Sequence, residues 1–310
     1  MNLSDNLITR FFVRNFIDTV YCVGYRFSNI WFWEQGQSKF RVLKPSLRYW
    51  YADPIPFKYK GNYYVFMEKY NRINDLGSIA VATIDHRGRL CKKRTVIETG
   101  THLSFPMILE YRGQYYLMPE TSATRSIEIY KMGDTPYQWE HYYSLGLDEE
   151  IVDIAFIEDE EGLLLVGGIV DPVNPHSVRR QIIRLIGLDH KEAINYKISY
   201  TDEKCSMKAR NGGNFHSKGE KLYRITQEST DAIYGLALIL NEVTEITEDT
   251  IKEIELRRKS IDDVNVNLIE CLYKKIGIHT YGTCENGFEV IDLAAAKLSI
   301  VPLIKKMRRG

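Results

Sequence analysis

Residues 52–70, ADPIPFKYKGNYYVFMEKY, and residues 104–122, SFPMILEYRGQYYLMPETS, align without a gap. Each carries a proline (Pro54, Pro106), an apolar run, a glycine turn (Gly61, Gly113), and a Tyr-Tyr segment ending on an acid (Glu68, Glu120). β-branched and aromatic runs on both sides of a glycine read as a hairpin. Three weaker copies follow: VDIAFIEDEEGLLLVGG around Gly162, RNGGNFHSKGEKLYRITQES around Gly219, and IHTYGTCENGFEVID around Gly287. The five glycines recur at intervals of roughly 50–70 residues, a length that suits four-stranded propeller blades.

Working outward, GSIAVATID and KKRTVIE supply the outer strands of the first copy, and SIEIYKM with WEHYYSL those of the second. Too little chain follows Gly287 for a complete fifth blade. The N-terminal runs VYCVGYR and KFRVLKP are then the missing outer strands, and closing the ring removes an open edge. The prediction is a single all-β domain over residues 1–310, a five-bladed β-propeller. Its blades begin near 52, 104, 153, 210 and 278, and residues 20–48 complete the last. The tail LSIVPLIKKMRRG fits a strand or a short helix.

Composition narrows the function. Lys plus Arg and Asp plus Glu each count 41, so no basic field exists to hold a phosphate backbone, and nucleic acid is excluded as an expected partner. Five scattered cysteines without a CxxC indicate neither a zinc site nor a redox pair, and they fit a reducing cytoplasm. Asp5, Arg10, Arg14 and Asp18 interrupt every apolar run near the N-terminus, so no transmembrane segment is expected there. Leu3, Leu7, Phe11, Ile17 and Val20 suggest an amphipathic helix, with core packing favoured over weak membrane or partner contact. No Walker loop, GxGxxG, HExxH or GxSxG occurs.

In a propeller the innermost strands line the channel, so the residues that open them converge at one mouth. Eight positions before each turn glycine stand Asp53, Phe105, Ile154, Asn211 and His279, with Ser104, Asp153, Arg210 and Tyr281 beside them. The far ends of the second strands add Glu68, Glu120, Gln227 and Asp292. Asp53, Glu120 and Asp153 are the catalytic candidates, because glycosyl chemistry needs one ionised and one protonated carboxyl. Glu68, Ser104, Arg210, Gln227 and His279 are candidates for binding substrate, with Tyr51 and Tyr281 as stacking faces. Each has a plainer alternative. Asp53 before Pro54 also fits a turn opener. Arg210 could simply pair an acid. His279 could be a satisfied core histidine, and Asp292 a buttress. The loop DPVNPH around His176 is placed near the mouth.

WYADPIPF, HLSFPMILEYRGQYYLMPET, ARNGGNF, YRITQES followed by IYGLALILNEVTEIT, and GIHTYG followed by VID occur in an order that resembles the N-terminal propeller domain of plant glucosamine inositolphosphorylceramide transferases and its bacterial relatives. The resemblance covers roughly residues 20–295 and implies a role in surface-polysaccharide or glycan assembly, with a carbohydrate or sugar nucleotide as ligand. The plant enzymes carry a separate glycosyltransferase domain, so the resemblance does not bring that activity with it. The fold also resembles the arabinanase, xylosidase and fructosidase hydrolases. In those enzymes an Asp opening the first blade is base or nucleophile, a position Asp53 matches. Phe105 stands where they have a second Asp, and Asp153 near their acid. The likeness further implies a channel ion near His279, although no metal or other cofactor is required by the residues themselves. The readings left open are an enzyme, a non-catalytic glycan-binding module, and a scaffold.

Overall fold

A computed structural model describes residues 15–35, 38–266 and 274–309. Its strands form five sheets arranged as a five-bladed β-propeller. The first blade runs Tyr49–Tyr59, Asn62–Asn71, Leu76–Ile84 and Leu90–Ile97; the second Ser104–Tyr111, Gln114–Glu120, Ser126–Met132 and Trp139–Gly146. The third runs Ile151–Glu158, Leu163–Val170, Val178–Ile186 and Asn195–Thr201; the fourth His216–Lys218, Lys221–Glu228, Ala237–Ile246 and Ile251–Ser260. Lys60 and Gly61, like Arg112 and Gly113, all have positive φ. That makes both inner turns two-residue hairpins of the mirror-image type that suits strand twist.

The last blade is assembled from both ends of the chain. Lys274–Gly277 and Tyr281–Cys284 pair with Phe288–Leu298, which pairs antiparallel with Ile17–Phe27 from Ile17↔Leu298 to Phe27↔Phe288. Arg41–Leu43 forms the outer edge. The expected ring closure is therefore present. Ile17 and Val20 lie in this strand, which corrects the helix proposed through them: a full ladder to the last blade satisfies more backbone than a helical stripe would. The rest of that proposed helix lies outside the described residues. After the closing strand, Phe32 and Trp33 pack between the fourth and fifth blades, with Phe32 stacked on Tyr281 at 4.8 Å. Arg26 pairs with Glu289 at 2.6 Å, and the Phe32 N–H donates to the same carboxylate. The ambiguous tail becomes a helix, Val301–Arg309.

Bulges decide which side chains reach the channel. In each of the first three blades the inner ladder slips by a residue, between Ala52 and Ile55, Ser104 and Met107, and Val152 and Ala155. The residues swung out are Asp53, Phe105 and Asp153, with φ of 48°, 40° and 50°. This corrects the third-blade register: the equivalent position is Asp153, not Ile154. There the turn has two more residues than in the first blade, and the following strand meets its partner one residue sooner. Counting back from Gly162 therefore lands one residue late. Behind the bulges Ile55, Phe105, Met107 and Phe156 pack as an apolar plug.

Candidate active site at the channel mouth

The first group of charges centres on His279. Its Nε2 lies 3.1 Å from Oδ1 of Asp53 and its Nδ1 2.9 Å from Oδ2 of Asp292. Asp292 is fully enclosed and accepts the backbone N–H groups of His279, Thr280 and Asp53. Asp53 accepts the Thr280 hydroxyl at 3.0 Å on Oδ1 and the Phe105 N–H at 3.2 Å on Oδ2. Burial works against both charged forms. For the imidazole, the negative field of Asp292 outweighs it and holds the ring protonated well above its usual range. For Asp53, burial is outweighed by the His279 hydrogen bond and charge, helped by Phe105 and Thr280, so the carboxyl stays below its usual range. Asp292, expected from sequence to buttress rather than react, accepts three backbone donors, which suit that role.

The second group lies across the mouth. Arg210 Nη1 donates to Asp153 Oδ2 at 2.9 Å and to the Tyr234 hydroxyl at 2.8 Å. Gln227 donates to the Asn211 carbonyl at 2.7 Å and approaches Asp153 Oδ2 at 3.5 Å. Glu120 accepts the Asp153 N–H at 2.8 Å. Burial, then the nearby charge of Asp153, pushes the Glu120 carboxyl up to about 8, so it carries a proton at neutral pH. Asp153 is also raised by burial, with Arg210 opposing. Glu68 is raised well above its range by burial and by the charge of Asp53, and faces His102 Nε2 at 3.4 Å. Ser104 sits opposite Glu120 in the ladder. Glu68 Oε1, Gln227 Oε1 and Arg210 Nε are buried without a hydrogen-bond partner among the described residues. Native proteins rarely leave such atoms unmet.

All six charged candidates, Asp53, Glu68, Glu120, Asp153, Arg210 and His279, thus meet in one electrostatic cluster. Two aromatic candidates do not join it. Tyr51 is buried in the core between the first and last blades, with Lys93 Nζ 4.1 Å from its ring centroid. Tyr281 is enclosed beside Phe32, and its hydroxyl donates to Glu289 at 2.7 Å. Neither can offer a face to ligand. Half-buried rings beside His279 are those of Tyr21 and Tyr234, 5.0 and 5.2 Å from its ring, with Trp50 5.0 Å beyond Tyr21. Tyr21 enters from the closing strand and Tyr234 from a fourth-blade loop, so no offset from a repeat glycine could find them. The loop around His176 reaches this rim, where His176 Nδ1 lies 2.7 Å from the Thr230 carbonyl and its ring 5.7 Å from that of Tyr234.

Donor atoms of Asp53, His279 and Asp292 lie close enough together to hold a metal ion. Here each imidazole nitrogen already faces a carboxylate, so the protonated ring supplies the positive charge a cation would bring.

At the level of fold, the chain is similar to the catalytic domain of the GH62 α-L-arabinofuranosidase of Coprinopsis cinerea, with a TM-score of 0.53 and 11% identity over 79% of this chain and 90% of that one. It is also similar to an exo-1,5-α-L-arabinanase from a bovine ruminal metagenomic library, with a TM-score of 0.51 and 13% identity over 82% and 94% of the two chains. In sequence it is 23% identical to glucosamine inositolphosphorylceramide transferase 1 of Arabidopsis thaliana over an alignment 222 residues long that covers 66% of this chain but 27% of the plant protein. Because residues 44–266 match the family described as glucosamine inositolphosphorylceramide transferase 1, N-terminal, the chain belongs to that family.

Proposed function

We propose that the channel mouth binds a saccharide and performs glycosyl chemistry on it, with Asp53 as the ionised carboxylate and Glu120 as the proton donor. The observation that carries this reading is the separation of the two carboxyls: His279 holds Asp53 ionised, while burial and Asp153 keep Glu120 protonated to about pH 8. Two carboxyls pushed apart by their surroundings are what acid–base cleavage or transfer at a glycosidic bond requires. Arg210, Gln227 and Glu68 would contact ligand hydroxyls through their unmet donors and acceptors, with Tyr21 and Tyr234 as apolar walls. His279 would act through Asp53 as a positioning residue. The ionised acids at the mouth leave no surplus positive charge, which favours a neutral sugar over a diphosphate-bearing one. The sugars named for the structural neighbours and the family's description support a carbohydrate ligand, and surface glycan assembly is the setting this reading implies.

One observation favours a second reading, binding without turnover. Both Asp53 oxygens are already hydrogen-bonded within the protein, and Phe105 fills the second-blade position. Asp53→Asn separates the two. Under the catalytic reading, turnover of a glycoside panel is lost while saccharide binding by the folded variant is nearly kept, since Asn cannot take a proton or attack carbon. Under the binding reading, affinity changes by about 1–3 kcal/mol and there is no turnover to lose. Full turnover in Asp53→Asn would sink the catalytic assignment.

A further inference from the structure

The helix Val301–Arg309 wears its apolar stripe on the outside. Ile300, Leu303 and Met307 follow the i, i+3, i+7 spacing of one helical face, and they are 55%, 37% and 77% exposed, while Val301 is turned inward. A helix on a soluble core ordinarily turns such a stripe the other way. Leu298, at the end of the preceding strand, is exposed as well.

The stripe continues onto a second segment. Buried Arg72 donates to the carbonyls of Ser46 and Leu47 at 3.1 and 2.8 Å and to the Ser299 hydroxyl at 2.8 Å, and it also pairs with Asp18. This clamp fixes the exposed Leu47 loop against the start of the helix. Residues 39–48 and 297–309 together contain no acid, and Lys44, Arg48 and Lys306 in these two segments are exposed. Two acids border these segments, Asp18 and Asp75, and each pairs with a cation, Arg72 or Lys305. Apolar residues among remaining charges that are positive match a bilayer surface that carries anionic headgroups.

We propose that this patch docks the protein onto an anionic membrane surface, with the helix lying in the headgroup plane. No helix among the described residues is long and apolar enough to cross a membrane, so the contact is peripheral. The position has a functional consequence. Lys305 bonds Asp75, which accepts the Tyr70 hydroxyl at 2.8 Å, and Tyr70 stacks on Trp50 at 4.2 Å at the channel mouth. Docking therefore sets the mouth beside the lipid headgroups, where a membrane-attached glycan would present its sugar. The docking itself does not depend on the chemistry assigned to the mouth.

The test is sedimentation of the full chain with vesicles of 70:30 phosphatidylcholine and phosphatidylglycerol, against pure phosphatidylcholine. We expect the anionic vesicles to bind about tenfold more tightly at low salt, with most of the difference lost at high salt. The double variant Leu303→Glu, Met307→Glu should lower partitioning about tenfold without moving the melt, because both side chains are exposed. Leu47→Glu tests the second segment in the same way. Equal binding to both vesicle types, or undiminished binding of the double variant, would overturn the proposal. So would wild-type self-association that the double variant abolishes, coupled with no vesicle binding; the patch would then be an interface between two copies of the chain.

Discussion

Replacing Glu120 by Gln should leave stability unchanged in acid and raise it in alkali. Burial and the charge of Asp153 lift the Glu120 carboxyl from its ordinary 4.5 to about 8. Between those values the folded state holds a proton that the unfolded chain has released. Stability contributed by this group is therefore complete below 4.5, falls as pH rises, and is fully lost above 8. At about 1.4 kcal/mol per tenfold change in proton affinity, the ceiling on that loss is about 5 kcal/mol. Glu120 is not wholly enclosed, and Asp153 and Arg210 readjust when it ionises, so about half that is expected. Gln stays neutral, keeps an oxygen for the Asp153 N–H, and escapes the penalty. An unfolding entropy of about 2.1 cal/mol/K per residue converts the difference to roughly 3–4 °C in melting temperature at pH 9. The assay is thermal unfolding of both proteins from pH 5 to 9.5, reading the difference between them so that other titrating groups cancel. Parallel curves, or a variant that melts lower at pH 9, would refute the placement of a protonated Glu120 at the mouth.

Three further outcomes follow from the packing. Deleting residues 1–45 removes the strand paired along the whole of Phe288–Leu298, so cooperative unfolding should disappear; a truncated chain that melts like the full one would refute the ring closure. Asp292→Ala strands three backbone N–H groups and one side of the His279 imidazole, at a cost of about 3–5 kcal/mol in urea unfolding, and a loss under about 1 kcal/mol would contradict the buttress. Gly213→Ala would place a methyl 2.1 Å from the Tyr281 carbonyl oxygen at a φ of +142°, so a drop of about 2 kcal/mol or more should appear in the same assay, and an unchanged midpoint would contradict the close approach.

Much of this architecture is legible in the chain because period and turn chemistry are local signals. Gly61 and Gly113 mark matching two-residue turns, and the shortage of strands after Gly287 predicts that the N-terminus must close the ring. The site is half legible for the same reason. Asp53 and Glu120 sit at fixed offsets within strong repeats and are found. Asp153 is found only beside its counted position, because the longer turn before Gly162 breaks the register. Tyr51 and Tyr281 are misassigned because adjacency in sequence does not give the face of a strand. A bulge swings one residue into the channel while its neighbours stay in the wall. Tyr21 and Tyr234 are missed because a closing strand and a long loop bring them in, and neither carries a repeat to count from.

Phe105 bears on which carboxyl the proposed chemistry would use as its acid. Phe105 keeps the left-handed backbone shared with Asp53 and Asp153, a conformation that costs a bulky side chain energy. Its ring joins the apolar plug, while its N–H still serves Asp53. No carboxylate is therefore added beside Asp53 at the second bulge. Asp53 is fixed in charge by His279, which Asp292 holds in turn, and Asp153 is faced by Arg210. Glu120 is lifted to about 8, because its surroundings supply burial and the like charge of Asp153 without a cation in direct contact. A group poised there can give up and recover a proton near neutral pH, which suits the proton-donor role proposed for it.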